Sequence, residues 1–209
     1  VEKLWHAVNQ TIEGDVDCYW RVFIKQEPHK LHKIEQSRYR LIMCPPLHVQ
    51  VLWQMVFAAQ NQKEIELSYF LPSQQGIVMP YGGWSHYYSQ WTSNGTTVGT
   101  DAVAWDWTVP GWLLQLELAF RKRQTRGFRR DEWMNLAAKL YRDAFRDCKL
   151  VFSDGTVYQQ QHWGIMKSGC VNTISTNSHG GFIYHILYCL ETSTPIEPIP
   201  RCVGDDKLV

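Results

Sequence analysis

Apolar residues along the chain follow two periods. At 20–24 (Trp-Arg-Val-Phe-Ile) and 39–43 (Tyr-Arg-Leu-Ile-Met), short runs of β-branched and aromatic residues read as strands flanking a charged stretch. After Pro45-Pro46 the period lengthens. Leu47, Val51, Leu52, Met55, Val56 and Ala59 fall at helical spacing, as do Leu113, Leu116, Leu118 and Phe120 after Pro110. Asp131 is predicted to cap a third helix through Trp133, Leu136, Ala137, Leu140, Tyr141 and Phe145, ending near Cys148. Leu150-Val151-Phe152, the turn Ser153-Asp154-Gly155-Thr156 and Val157-Tyr158 then read as a hairpin. A further helix is expected from Thr173 to Leu190. Ile199 to Val203 and Lys207 to Val209 bracket Gly204-Asp205-Asp206 as strand, tight turn and strand. This mixture predicts an α+β fold with locally antiparallel strands.

Composition adds little until charge is mapped. The 209 residues, 44% hydrophobic and 20% charged, suit one soluble globular core. The ten Trp and ten Tyr could stack on bases, although core packing is their commoner use. A net charge of +1 does not by itself point to nucleic acid. Two segments depart from that average. Arg21, Lys25, Lys30, Lys33, Arg38 and Arg40 form one basic run, which the strand signals place on a loop. Arg121, Lys122, Arg123, Arg126, Arg129 and Arg130 form another, which reads equally as a solvated helix end or one facing an RNA backbone.

Six scattered cysteines show no Cys-x-x-Cys pair, which argues against structural zinc or a disulfide framework and for a reducing setting. No apolar run approaches the roughly 20 residues that span a bilayer. The chain opens on Val1 and closes on what reads as a strand just beginning, so both ends look like cuts through a longer protein.

Three clusters carry candidate chemistry. Asp101 and Asp106 alone are an accident that a chain this long supplies about once, at roughly 5 to 7% usage per residue type. Gly204-Asp205-Asp206 alone is an ordinary turn composition. Ser168-Gly169, Thr173 and Asn177-Ser178 are different, because five fixed residues at those offsets arise in roughly one chain in ten thousand. Ser168 lacks the Gly-x-Ser-x-Gly elbow of a hydrolase nucleophile, so a loop-forming Ser-Gly pair is the better reading. Two carboxylates about 4 Å apart repel by about 4 kcal/mol at an effective dielectric near 20. A fold that set two such aspartates face to face would therefore make sense around a hard cation.

In order and spacing these clusters resemble motifs A, B and C of positive-strand RNA virus polymerases. Lys25-Gln26-Glu27 followed by Lys33, Arg38, Arg40, Leu41 and Ile42 resembles their motif F. The Lys-Gln-Glu-Pro-His-Lys wording, Trp105-Asp106-Trp107 and the Ser-Asp-Gly-Thr hairpin are most similar to the sobemovirus and polerovirus-like branch. The resemblance implies the fingers and palm of a right-hand polymerase, without a thumb. The implied segments are fingers over 1–98 with motif F, palm over 99–125 with motif A, fingers over 126–162, and palm over 163–209 with motifs B and C.

The resemblance implies RNA-dependent RNA synthesis from ribonucleoside triphosphates with two Mg²⁺ or Mn²⁺ ions held by Asp101, Asp205 and Asp206. Asp106 and Asn177 would recognise the ribose 2′ hydroxyl, supported by Ser168, Gly169 and Thr173. Lys33 and Arg40 would grip the triphosphate, with Lys25, Lys30 and Arg38 nearby and Lys25 pairing with Glu27. The implied partners are RNA template, nascent strand and the remainder of a larger viral polyprotein, in a replication complex in the host cytoplasm. The alternatives are an inert RNA- or nucleotide-binding fragment and a reverse transcriptase, which normally has a bulky residue where Asp106 stands.

Overall fold

The computed structural model describes residues 1–209. Helix α1 (Glu2–Glu13) turns Val8 and Thr11 inward and stops at Gly14, whose φ of 88° lets its amide reach back to the Gln10 carbonyl. Strand β1 (Tyr19–Ile24) buries Trp20 and Val22 and turns Tyr19 and Phe23 outward, the alternation of a half-buried strand. The basic run beyond it is a loop only in part, because it winds into the short helix α2 (Leu31–Glu35) before β2 (Leu41–Cys44).

Helix α3 (Leu47–Glu66) starts where Pro45-Pro46 predicts. Its buried face is Val49, Leu52, Trp53, Val56 and Phe57, while Leu47 and Met55 lie exposed. Helix α4 (Gly83–Ser93) and the two-residue strand β3 (Gly99–Thr100) have no apolar period to announce them. A one-turn helix α5 (Trp105–Thr108) precedes α6 (Gly111–Gln124). On α6, Glu117 and Arg121 share the buried face with Leu113, Leu114 and Leu118, and Leu116 and Phe120 face outward.

The expected Asp131 cap is corrected: α7 (Arg130–Phe145) has Arg129 at the cap position with no side-chain bond. Asp131 lies in the first turn with Glu132, where negative charge suits the positive end of the helix dipole. Strands β4 (Lys149–Val151) and β5 (Val157–Gln159) form the expected hairpin. Helix α8 (Thr173–Thr192) leads to β6 (Arg201–Val203) and β7 (Asp206–Leu208).

The strands form two sheets. One runs β2-β1-β4-β5, antiparallel except where β1 lies parallel to β4; the other runs β3-β7-β6 and is wholly antiparallel. The boundary drawn at residue 98 does not follow the hydrogen bonding. The Gln74 amide bonds the Cys202 carbonyl, and the Thr97 and Val98 amides bond the Val209 carbonyl, so this part of the first stretch already belongs with the second sheet. The central core joins α3, α6 and α7, with Trp53 packed on Phe57 and Tyr141 at ring separations of 5.0 and 5.4 Å. No helix is long and apolar enough to cross a membrane.

Candidate active site

The second sheet brings remote carboxylates to one rim. Gly99 pairs with Leu208 and Thr100 with Lys207. Continuing that register by one residue sets Asp101 opposite Asp206. Val203 pairs with Asp206, leaving Gly204-Asp205 as a two-residue turn whose first position has φ 66°, the conformation such hairpins demand of a glycine. Asp101, Asn177, Asp205 and Lys207 line one cavity of about 420 Å³. Asp101 also borders a second cavity of about 570 Å³, shared with Asp206 and Lys207. Asp205 and Asp206 therefore open onto different cavities, and Asp101 stands between them.

The donors suit a hard cation. Asp101, Asp205 and Asp206 are exposed, and no hydrogen bond or ion pair within the chain engages their carboxylates. No group of three His, Cys, Asp or Glu side chains stands close enough to enclose an ion. Mg²⁺ commonly takes one or two protein carboxylates and completes its shell with water and substrate phosphate, so an open pair fits it better than a closed cage would.

Asp106 sits in the first turn of α5, which the chain enters through Ala104 at φ 52°. This turn comes ahead of the helix expected near Pro110, and Asp106 lines neither of the two cavities, although it lies near enough to Asp205 to feel its charge. Burial pushes its carboxyl above the ordinary range, the nearby charge of Asp205 adds to that, and Arg40 opposes both. The Asp106 carbonyl also accepts the Met166 amide at 2.8 Å, tying α5 to the loop before α8.

Asn177 is 4% exposed and its Oδ1 has no hydrogen-bond partner within the chain. A buried acceptor left unpaired costs about 1–3 kcal/mol, and a donor entering the cavity beside it would recover that. Ser168 and Thr173 are arranged differently. The Ser168 hydroxyl donates to the Leu41 carbonyl at 3.2 Å, and the Gly169 amide to the Met43 carbonyl at 3.1 Å. The Thr173 hydroxyl reaches the Lys167 and Cys170 carbonyls at 2.9 and 2.8 Å. In this structure both hydroxyls fasten the loop to backbone, one of them across to β2, and neither lines the cavity with Asn177.

The basic segment is partly self-neutralised. Glu27 pairs with Lys25 at 2.8 Å and with Arg40 at 3.1 Å, and its carboxyl is lowered chiefly by the Lys25 hydrogen bond. Lys30, Lys33 and Arg38 have no carboxylate partner; Lys33 is half-buried on α2, and Arg38 donates to the Gln36 side chain at 3.4 Å.

Sequence reasoning missed a buried polar network behind the site. Arg121, 1% exposed, pairs with Glu117 and donates to Ser175 at 2.7 Å and to Asn61 at 3.1 Å. His179 joins Glu64 at 3.0 Å and Glu117 at 3.1 Å, and Tyr141 donates to Glu117. Burial raises the Glu117 carboxyl, but Arg121 and His179 outweigh it and bring the pKa down to about 2. Arg121 is thus neither solvated nor turned toward RNA, unlike the exposed Arg123, Arg126, Arg129 and Arg130. The signal available in sequence was the four-residue offset from Glu117, which places the two on one helix face. Lys207, which borders both cavities, followed Gly204-Asp205-Asp206 without being singled out.

The model for a family described as viral RNA-dependent RNA polymerase matches residues 1–208. Protein P1-P2 of Pea enation mosaic virus-1 (strain WSG) is 33% identical over 214 residues, covering 85% of this chain and 17% of that protein. Replicase polyprotein P2AB of Southern bean mosaic virus (isolate Bean/United States/Arkansas) is 31% identical over 192 residues, covering 90% of this chain and 19% of that protein. The chain spans about a sixth of the length of such relatives. Among solved structures, Sicinivirus 3Dpol RNA dependent RNA polymerase superposes with a TM-score of 0.74 at 20% identity, covering 97% of this chain and 42% of that one. That likeness establishes a shared fold.

Proposed function

The chain belongs to the viral RNA-dependent RNA polymerase family, and from that premise we propose that it forms the catalytic centre for template-directed RNA synthesis from ribonucleoside triphosphates in viral replication. Its fold is that of the fingers and palm of a right-hand polymerase. We assign the four-stranded sheet to the fingers and the three-stranded sheet to the palm. The division into 1–98, 99–125, 126–162 and 163–209 is supported where the two sheets share no strand, with the stretch after α3 leaning toward the palm.

One observation carries the reading: Asp101, Asn177 and Asp205, from three remote parts of the sequence, line a single cavity. In this reading Asp101 and Asp205 hold divalent ions and Asp206 assists from the neighbouring cavity. Bound Mg²⁺ or Mn²⁺, two ions per site, would supply charge stabilisation for the attacking 3′ oxygen and the leaving pyrophosphate. Asn177 offers its unpaired Oδ1 to the ribose 2′ hydroxyl, and Asp106, half-buried beside Asp205, completes the selection of ribose. A deoxyribose would leave that acceptor unmatched, which is the physical basis of discrimination.

Ser168, Gly169 and Thr173 shape the loop that presents Asn177. Lys33 and Arg40 approach the triphosphate, Arg40 lying close enough for its charge to act on Asp106, with Lys25, Lys30 and Arg38 adding positive potential. Template, nascent strand and the rest of a longer replicase are the proposed partners, and the host-cell cytoplasm is the proposed location.

Primer extension tests this in the full-length polymerase that contains the chain, with Asp205→Ala as control. Metal-dependent incorporation by wild type and its loss by at least about a hundredfold in Asp205→Ala are expected. Equal incorporation by the two sinks the reading, RNA binding without incorporation indicates an inert binding fragment, and preference for dNTP over rNTP indicates a reverse transcriptase.

A further inference from the structure

The turn that carries Asp205 is gripped from one side by a single turn of α8. Ser178 is fully buried. Its hydroxyl donates to the Ile174 carbonyl at 2.8 Å, a bond within the helix that fixes the rotor and leaves oxygen lone pairs free. The Gly204 amide donates to that same oxygen at 2.9 Å. Gly204 opens the two-residue turn at φ 66°, and an amide at a hairpin tip otherwise faces solvent.

The helix is held from other directions before Ser178 reaches across. His179 bonds Glu64 on α3 and Glu117 on α6. Gly181 lets β6 approach so closely that a Cβ there would stand 3.1 Å from Cys202 Sγ. The residue preceding Ser178 is Asn177, which lines the cavity with Asp101 and Asp205. One helical turn thus presents the group proposed to read the sugar and, next to it, the acceptor that anchors the turn proposed to hold metal.

We propose that Ser178 is a positioning residue for the metal-holding turn: its hydroxyl, acting through the Gly204 amide, sets the place of Asp205 relative to Asp101 and Asn177. The inference rests on the polymerase reading, because only that reading gives Asp205 a task. Ser178 itself touches neither substrate nor ion. Its removal is therefore expected to alter metal use and turnover and to spare nucleotide binding and sugar choice.

The test uses Ser178→Ala in the full-length polymerase, a change that deletes one oxygen from a small side chain. Amide hydrogen exchange, measured without nucleotide or metal, is expected to speed up about tenfold at the Arg201–Leu208 hairpin and to stay unchanged in α3 and α7. In primer extension, kcat is expected to fall roughly ten- to a hundredfold, and the Mg²⁺ concentration for half-maximal rate to rise about tenfold. The rNTP KM and the preference for rNTP over dNTP are expected to stay within about twofold of wild type.

Wild-type exchange at the hairpin overturns the proposal, as does faster exchange with undiminished kcat. Faster exchange spread through α3 and α7, or a loss confined to KM and sugar preference, overturns it too. Equal incorporation by wild type and Asp205→Ala removes the polymerase reading and the proposal together, a result distinguishable from the others because exchange at the hairpin is read independently of activity.

Discussion

Gly169 lies against β2 by a contact that admits no side chain. A Cβ there would stand 2.6 Å from the Met43 carbonyl oxygen and 3.0 Å from Cys44 Cα, both of them backbone. Backbone cannot swing aside as a long side chain can, so Gly169→Ala must push the loop and the strand apart. The cost expected for such overpacking is about 1–3 kcal/mol, measurable as a lower denaturant midpoint. The same displacement would break the bonds that Ser168 and the Gly169 amide make to β2, so activity should fall further than stability alone accounts for. Near-normal stability and activity in Gly169→Ala would show that the loop has room. Gly169 stands out in the sequence by its motif, but the close approach does not, because the strand that crowds it lies more than a hundred residues earlier. Asp101, Asn177 and Asp205 stand out in the sequence because residue type and spacing are what the motifs specify, and the fold brings all three to one cavity. Arg121 was concealed by its neighbours: inside a run of cations, nothing but the offset from Glu117 marks the one that turns inward.

At the scale of elements, the hidden network shows where periodicity misleads. Helices α3 and α6 were found, but their buried faces were read by counting apolar residues. The true face of α6 includes a glutamate and an arginine, whose burial is tolerable only because they pair and because Asn61, Tyr141, Ser175 and His179 share their hydrogen bonds. Strand β3 escaped because two residues give no alternation to detect.

The network also makes a pH prediction for α8. Burial pushes the His179 ring down, but the hydrogen bonds and charges of Glu117 and Glu64 outweigh it and raise its pKa from 6.5 to about 8. Between those values the folded chain keeps a proton that the unfolded chain has lost. Its contribution, about 2 kcal/mol, is complete below pH 6.5 and disappears as pH rises through 8. His48, lowered by burial, acts below that window, and Lys167, lowered by burial to about 8, acts above it in the opposite sense. Denaturant unfolding should therefore show stability falling from pH 6.5 to 8, with His179→Gln flattening the fall. An unchanged slope in that variant would assign the dependence elsewhere.

Across the whole molecule, the two sheets are built for different ends. The four-stranded sheet and the helices packed beside the Trp53 cluster bury apolar surface in the ordinary way. The three-stranded sheet instead spends its rim on carboxylates that have no partner within the chain, set near enough for Asp205 to raise Asp106. On the proposed function, such an arrangement costs stability when no cation is bound and is kept because the site uses it. Removing one charge should then relieve the fold while disabling the chemistry. Asp205→Asn is expected to melt at or above the wild-type temperature in chelator, since it keeps shape and loses repulsion. It is also expected to lose the upward shift in melting temperature that added Mg²⁺ gives wild type, because a cation that binds only the folded site stabilises by mass action. The two halves of the result must occur together. A variant that melts lower in chelator would mean that Asp205 is held by favourable contacts within the chain, and one that still responds fully to Mg²⁺ would place the ion elsewhere.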